Sequence, residues 1–371
     1  MIHIHRLGHT RAIAALKHAI SNQTYHQQHR PFPKALLSMQ DLSVEQILVL
    51  IRRSLELKAA FKTGTYPPSS TSTSSINKKP LDGKTLAMIF AKRSTRTRVS
   101  AESGWAYYGG HPMFLSKEDV QLSGGEPLKD TAIVVSSMVD CLLARVAGHE
   151  EIEILAKHST VPVINALSAK FHPLQILADI STLYEAYVPD ALAQVANSNN
   201  NSQYILPPLP KLKVAWVGDA NNILFDLLCA LPRLGTSISA ACPPGYEVDA
   251  DVREYALHHA SLAGAGNVEF TNSPQVAVKD ADVIVTDTWI SMGQEAEKEA
   301  RLKAFKGYQV TEAMASGARP NWKFLHCLPR KKEEVDDEVF YGPRSLVFPE
   351  AQFRKFTVMA VYEMLMLWNK Q

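Results

Sequence analysis

Apolar positions along the chain follow two rhythms. From Ser43 to about Ala60 they return every three or four residues, and SVEQ at the start supplies a capping box, so this stretch predicts a helix. From Leu86 onward, short apolar runs alternate with longer helical stretches. The runs at residues 86–90, 140–146, 161–167, 213–218, 237–243, 282–289 and 323–329 predict strands. Strands separated by helices predict parallel sheets covered on both faces. The expected fold class is α/β, with two doubly wound domains, each with a central parallel sheet, joined by bridging helices around a cleft.

Polar stretches punctuate this alternation. Residues 63–80, rich in Ser, Thr and Pro, offer little to bury and predict a surface loop. Residues 196–210 (ANSNNNSQYILPPLP) are the best candidate for a domain boundary, with a helix from His172 to about Tyr187 bridging the halves. Near the C-terminus, FTVMAVYEMLMLW is too short to span a bilayer and contains Glu363, so it predicts a docked amphipathic helix. The expected division is an extension at 1–32, a first domain at 33–180 to which a C-terminal helix at 350–371 returns, and a second domain at 181–349.

Composition narrows the class. The 371 residues are 46% hydrophobic and 20% charged, as in ordinary globular proteins, and the formal net charge is only +2. That balance argues against a nucleic-acid surface, which needs a strongly basic domain. The four cysteines (Cys141, Cys229, Cys242, Cys327) lack CxxC spacing, which suits reduced thiols better than disulfides or zinc. Before Asp41 there is no acidic residue, whereas Arg6, Arg11, Lys17, Arg30, Lys34 and six histidines are present. This basic segment has the character of a mitochondrial transit peptide, so the matrix is the expected location, with a cytoplasmic protein bearing a disordered extension as the alternative.

Against that balance, residues 90–100 (FAKRSTRTRVS) concentrate four cationic side chains and four hydroxyls behind an apolar run. In open parallel sheets, ligands bind beyond the carboxyl ends of strands, and nearly every predicted strand here ends in polar groups. Ser94 and Thr95 fall near a helix start, where unpaired amides and the dipole favour an anion, and Arg96 can fork onto phosphate oxygens. A solvated basic turn is the alternative, and GxxxxGK[ST] is absent. Arg145 ends another apolar strand. HPLQ (172–175) has the form of a helix start in which His172 caps; it equally suits recognition of a carbonyl and an amide. KVAWVGDANN lacks the second glycine of a dinucleotide fingerprint, and its Asn221 and Asn222 suit either a cap or an amino-acid ligand. Asp287 can pair with a cation or cap a turn. Cys327, taken alone, is a buried thiol.

Together, STRTR, HPLQ, the Asp287-to-Gly293 arrangement with its SMG, and HCLP resemble the aspartate/ornithine carbamoyltransferase family from about Pro33 onward; SMG and HCLP mark its ornithine branch. The resemblance implies transfer of the carbamoyl group of carbamoyl phosphate to the δ-amine of L-ornithine, giving L-citrulline and phosphate without metal or organic cofactor. It implies a homotrimer with active sites between subunits, a first domain that binds carbamoyl phosphate and a second that binds ornithine. Neither nucleic acid nor membrane is an expected partner.

By the same resemblance, Ser94, Thr95, Arg96 and Thr97 would hold phosphate, Arg145 would bridge phosphate and carbonyl, and His172 and Gln175 would hold the carbamoyl group. Gln121 would enter a neighbouring subunit's site. Asn222, Asp287, Ser291 and Met292 match ornithine-binding positions, Cys327 and Leu328 flank the reaction centre, and Arg354 reaches back to carbamoyl phosphate. Asp287, Cys327, Arg96, Arg145 and His172 are the expected catalytic set. Two enzymatic rivals are transfer to putrescine, which lacks the groups Asn222 and Ser291 would recognise, and to aspartate, whose second carboxylate would oppose Asp287. A non-catalytic anion-binding protein on the same fold is the rival from another class.

Overall fold

The computed structural model describes residues 31–64, 79–117, 126–197, 206–290 and 295–368. The first sheet contains β1 (Ala35–Leu36), β2 (Thr85–Phe90), β3 (His111–Ser116), β4 (Cys141–Arg145) and β5 (Val163–Leu167), in the order β1-β5-β4-β2-β3. The second contains β6 (Lys213–Val217), β7 (Ser237–Ala241), β8 (Val268–Thr271), β9 (Val283–Thr286) and β10 (Lys323–His326), in the order β10-β9-β6-β7-β8. Every pairing is parallel.

Both sheets are doubly wound. The chain runs outward from β2 to β3, then returns to β4 and proceeds the other way; it does the same at β6 and β9. The crevice at such a reversal, beyond the strand ends, is where open α/β sheets bind ligands. In the first sheet it lies past Phe90 and Arg145, which are register partners, and in the second past Val217 and Thr286.

All seven predicted strands form. The three that the pattern does not announce, β1, β3 and β8, are all sheet edges. An edge strand tolerates polar residues and proline because one side needs no ladder, and Pro112 and Glu269 sit in them. The predicted capping box is present: Ser43 Oγ accepts from Gln46 N while Gln46 Oε1 accepts from Ser43 N, opening helix Val44–Thr63. Asp226, on the helix Asn222–Ala230 of the second half, accepts the backbone N–H groups of Met39 and His172 at 2.9 and 2.7 Å, stitching the halves together.

The C-terminal helix differs from expectation. Val347–Met366 is buried on nearly every face instead of being amphipathic, because helices Val44–Thr63, Thr95–Tyr107 and Pro173–Tyr187 of the first half pack around it. Its polar residues are each committed. Glu363 takes Arg53 in a two-pronged contact, at 2.7 and 2.9 Å, and also accepts the Tyr108 hydroxyl. Burial alone would lower the Arg53 pKa, but Glu363 more than offsets that and raises it. Glu363→Gln should therefore cost about 2–3 kcal/mol of unfolding free energy, because it leaves a buried guanidinium with Glu56 as its remaining counter-ion and sets an amide N–H against its donors. Denaturant unfolding checks this, and a loss below about 1 kcal/mol would contradict it. No helix of the described residues is long and apolar enough to cross a membrane.

Candidate active site

The two strand reversals face one cavity of about 890 Å³. Its first wall begins where β2 ends. Ser94 caps helix Thr95–Tyr107, its Oγ accepting from Thr97 N at 3.3 Å. The remaining first-turn amides lie at the positive end of the helix dipole, beside Arg96. Lys92, Arg93, Ser94, Thr95, Arg96 and Thr97 all line the cavity, whereas Arg98 turns away to pair with Glu102 and stack on Phe114.

Arg145 at the end of β4 and Arg354 from the C-terminal helix complete this wall with His172. Burial pushes both guanidinium groups down to about 10, with the neighbouring arginines adding to the shift, so both remain cationic near neutrality. Arg354 Nη1 lies 3.4 Å from His172 Nε2. An arginine can only donate, so Nε2 is the acceptor and the imidazole hydrogen sits on Nδ1. Burial, then the charges of Arg354, Arg145 and Arg96, hold His172 well below the usual histidine range, so it stays neutral. Among the described residues, Arg145 Nε, Arg354 Nε and His172 Nδ1 are buried donors without an acceptor. The three side chains line the cavity with Arg96, and a wall so rich in donors suits an acceptor-rich guest.

The opposite wall is acidic. Asp287, just past β9, accepts from Asn221 Nδ2 at 2.8 Å and from the Cys327 thiol at 3.0 Å. Asp219 pairs with Arg301 at 2.9 Å; burial raises its carboxyl to about 6 against the pull of that arginine. Leu328 stands between the walls at φ +62°, a conformation seldom held by a branched residue, and its N–H donates to His326 Nδ1 at 2.9 Å. Such a conformation persists where the surroundings impose it, which is frequent at functional turns.

Cys327 rests as a thiol. Burial, then the adjacent Asp287 carboxylate, push its pKa well above the ordinary cysteine range. A group with a raised pKa keeps its proton at neutrality and loses it only as pH climbs past that value. Iodoacetamide should therefore alkylate Cys327 much more slowly than a free thiol at about pH 8, accelerating at higher pH. Peptide mapping by mass spectrometry checks this, and free-thiol kinetics at Cys327 would contradict it.

Most nominated residues converge on this cavity: Ser94, Thr95, Arg96, Thr97, Arg145, His172, Asn222, Asp287, Cys327, Leu328 and Arg354 all line it. Gln121, Ser291 and Met292 lie outside the described residues. His172 sits at the N-cap position without a side-chain capping bond, because Arg354 occupies its Nε2. The cap of helix Asn222–Ala230 is Asn221, while Asn222 Nδ2 donates to the Ser168 carbonyl. Gln175 stands behind the wall, 1% exposed, its oxygen accepting from Arg354 and its nitrogen donating to Asp179 and Glu350. The sequence reading missed Asp219 and Arg301. Asp219 follows β6 directly and was open to the strand-end rule; nothing local marks Arg301.

A cationic anion cradle facing an acidic wall across the ends of two doubly wound sheets defines a two-substrate α/β protein that brings an anion against a cation. The family model described as "Aspartate/ornithine carbamoyltransferase, carbamoyl-P binding domain" matches residues 34–185, and that of the "Asp/Orn binding domain" matches residues 210–365. The chain belongs to the aspartate/ornithine carbamoyltransferase family. It is 47% identical over 357 residues to the mitochondrial ornithine carbamoyltransferase of Emericella nidulans, covering 94% of each chain. The mitochondrial ornithine carbamoyltransferase of Schizosaccharomyces pombe is 47% identical over 338 residues, 91% of this chain and 96% of that protein. Among solved structures, that of the Coccidioides immitis mitochondrial enzyme matches with a TM-score of 0.79 at 45% identity, over 91% of this chain and 99% of that one. The ornithine carbamoyltransferase of Pyrococcus furiosus matches with a TM-score of 0.77 at 41% identity, over 90% and 96%.

Proposed function

We propose that this chain is an ornithine carbamoyltransferase, transferring the carbamoyl group of carbamoyl phosphate to the δ-amine of L-ornithine to give L-citrulline and phosphate. The carrying observation is a single cavity lined by Arg96, Arg145, Arg354 and a neutral His172 together with Asp287. An anion with a polarisable carbonyl suits the donors, and an ammonium suits Asp287. The relatives named as ornithine carbamoyltransferases support the same reading.

In this reading, residues 33–180 with the helix at 350–371 hold carbamoyl phosphate and residues 181–349 hold ornithine. Ser94, Thr95, Arg96 and Thr97 take the phosphate, and Arg145 bridges phosphate and carbonyl. Arg354 reaches carbamoyl phosphate from the C-terminal helix. His172 Nδ1–H donates to the carbonyl oxygen, with Gln175 supporting it through Arg354. A neutral imidazole donor and two guanidinium groups aimed at that oxygen stabilise the negative charge that grows as the carbon becomes tetrahedral. Once the ammonium has released one proton to solvent, the amine nitrogen bonds to that carbon, the C–O bond to phosphate breaks with its electron pair on phosphate, and the nitrogen's second proton passes to the departing phosphate oxygen. Ornithine's amine has a pKa near that of lysine, about 10.4, so it arrives mostly protonated and needs Asp287 as counter-ion before it gives up a proton. Because Cys327 donates to Asp287, the thiol orients that carboxylate; it does not supply a second anion. Leu328 flanks the reacting carbon, and Asn222, Ser291 and Met292 recognise ornithine. Gln121 reaches the site of a neighbouring subunit in a homotrimer. The fungal relatives carry the word mitochondrial in their names, and the basic, acid-free N-terminal segment fits import to the matrix.

The test is product formation from carbamoyl phosphate with ornithine, putrescine or aspartate supplied separately. Citrulline from ornithine alone is the expected result. Preference for putrescine would remove the ornithine assignments while leaving the phosphate cradle. Binding of carbamoyl phosphate without turnover of any amine would identify a binding protein.

A further inference from the structure

Behind the cavity wall lies a polar cluster to which the chemistry above assigns no role. Asp179, on helix Pro173–Tyr187, and Glu350, in the first turn of the C-terminal helix, are each 1% exposed. Both also accept from a single nitrogen, Gln175 Nε2, at 2.8 and 2.7 Å. The second Glu350 oxygen accepts the His326 backbone N–H at 2.9 Å, one residue before Cys327. Burial pushes both carboxyls up, Asp179 to about 7, and the charge of Asp179 adds to the push on Glu350. Two buried carboxyls that meet at one amide nitrogen do not both ionise, so the pair shares a proton. Glu350 receives an N–H on each oxygen, whereas Asp179 takes its N–H on Oδ1. Both Glu350 oxygens are therefore committed as acceptors, and only one of Asp179's is.

This arrangement dictates how Gln175 stands. With both amide hydrogens committed to carboxyls, its oxygen is left to face Arg354, whose Nη1 it accepts at 2.6 Å. Arg354 in turn reaches Thr97 Oγ1 and His172 Nε2, each at 3.4 Å. Glu350 thus grips three parts at once: the HPLQ amide, the backbone beside Cys327, and the helix that bears Arg354 one turn further on.

We propose that Asp179 and Glu350 are a proton-sharing pair of positioning residues, which orient the Gln175 amide, and through it Arg354, while tying the anion wall to the strand that carries Cys327. The proposal rests on the reading of that wall as the carbamoyl-phosphate site, and neither residue touches substrate. It makes the two isosteric amides unequal. Asp179→Asn keeps an acceptor for Gln175, with its amide nitrogen at the Oδ2 position. Glu350→Gln sets an N–H against either Gln175 Nε2 or His326 N, where no acceptor remains.

Expected results are a KM for carbamoyl phosphate within about threefold of wild type in Asp179→Asn and raised roughly tenfold or more in Glu350→Gln, with kcat and the KM for ornithine changing less. The infrared spectrum at about pH 7 should contain a protonated-carboxyl stretch that Asp179→Asn removes. Equal KM effects in the two variants, or an unchanged carboxyl band in Asp179→Asn, would overturn the proposal. Should Glu350→Gln fail to fold, Asp179→Ala takes its place, and a KM raised less than about threefold there would overturn it equally. Calorimetric titration with inorganic phosphate repeats the comparison without turnover. A wild-type protein that makes no citrulline would therefore remove the functional reading, while phosphate affinity and the carboxyl band still judge the pair.

Discussion

Replacing Arg96 with alanine should lower kcat/KM for carbamoyl phosphate by about 10³-fold, the scale of losing a preorganised charge at a reacting centre. Arg96 stands in the first turn behind the Ser94 cap, half-buried on the cavity wall. Its charge reaches His172, Arg145 and Arg354, lowering the pKa of each, so the four form one electrostatic unit. Assembling like charges costs folding energy unless an anion joins them, and alanine relieves that repulsion. The variant should accordingly melt no lower than wild type while losing turnover, a combination that a misfolded protein cannot show. Arg96→Lys should fall between the two, because an ammonium keeps the charge but lacks the planar fork. Steady-state kinetics beside calorimetric melting decides it; turnover close to wild type in Arg96→Ala would dismantle the cradle.

The second large effect belongs to Asp287. Asp287→Asn should reduce kcat/KM for ornithine by about 10³-fold, since it removes the counter-ion of the incoming ammonium from a buried wall. The change is sharper than its size suggests. Each Asp287 oxygen already accepts a hydrogen, one from Asn221 and one from the Cys327 thiol, so an amide nitrogen on either side meets a donor. Affinity for carbamoyl phosphate should stay within a few-fold, because the anion wall is built from other strand ends. Loss of both affinities together would mean that Asp287 is structural, and retention of ornithine turnover would move the counter-ion elsewhere.

How much of this was legible without coordinates depends on how local each cause is. Central strands such as LAMIF and KVAWV announce themselves because burial on both faces leaves no room for polar residues. The edge strand HPMFLS, with Pro112 and a more open face, carries no such signature. Strand ends could be read because the rule linking them to ligands needs only the strands. The state of Cys327 could not, since its proton is held by a carboxylate 40 residues away in the chain. The same limit hid Asp179 and Glu350, separated by the entire second sheet, and Arg301, which reaches Asp219 over 82 residues. The burial of the C-terminal helix was misread for a related reason. Its pattern contains polar residues, and only the partners Arg53, Tyr108 and Gln175 explain why they can be inside.

That helix also bears on how the chain gathers itself once it is free to fold. The first sheet is encoded by residues 35–167, yet the element that fills the space between its helices and delivers Arg354 lies beyond the whole second sheet. Until then the apolar faces of Val44–Thr63 and Pro173–Tyr187 have lost their common partner, and the anion wall has no roof. Contacts spanning nearly the whole length of the chain close slowly and leave sticky intermediates. A chain whose first sheet has formed without that helix is thus both inactive and prone to associate. Competence arrives in a single late step, when the final helix slots home.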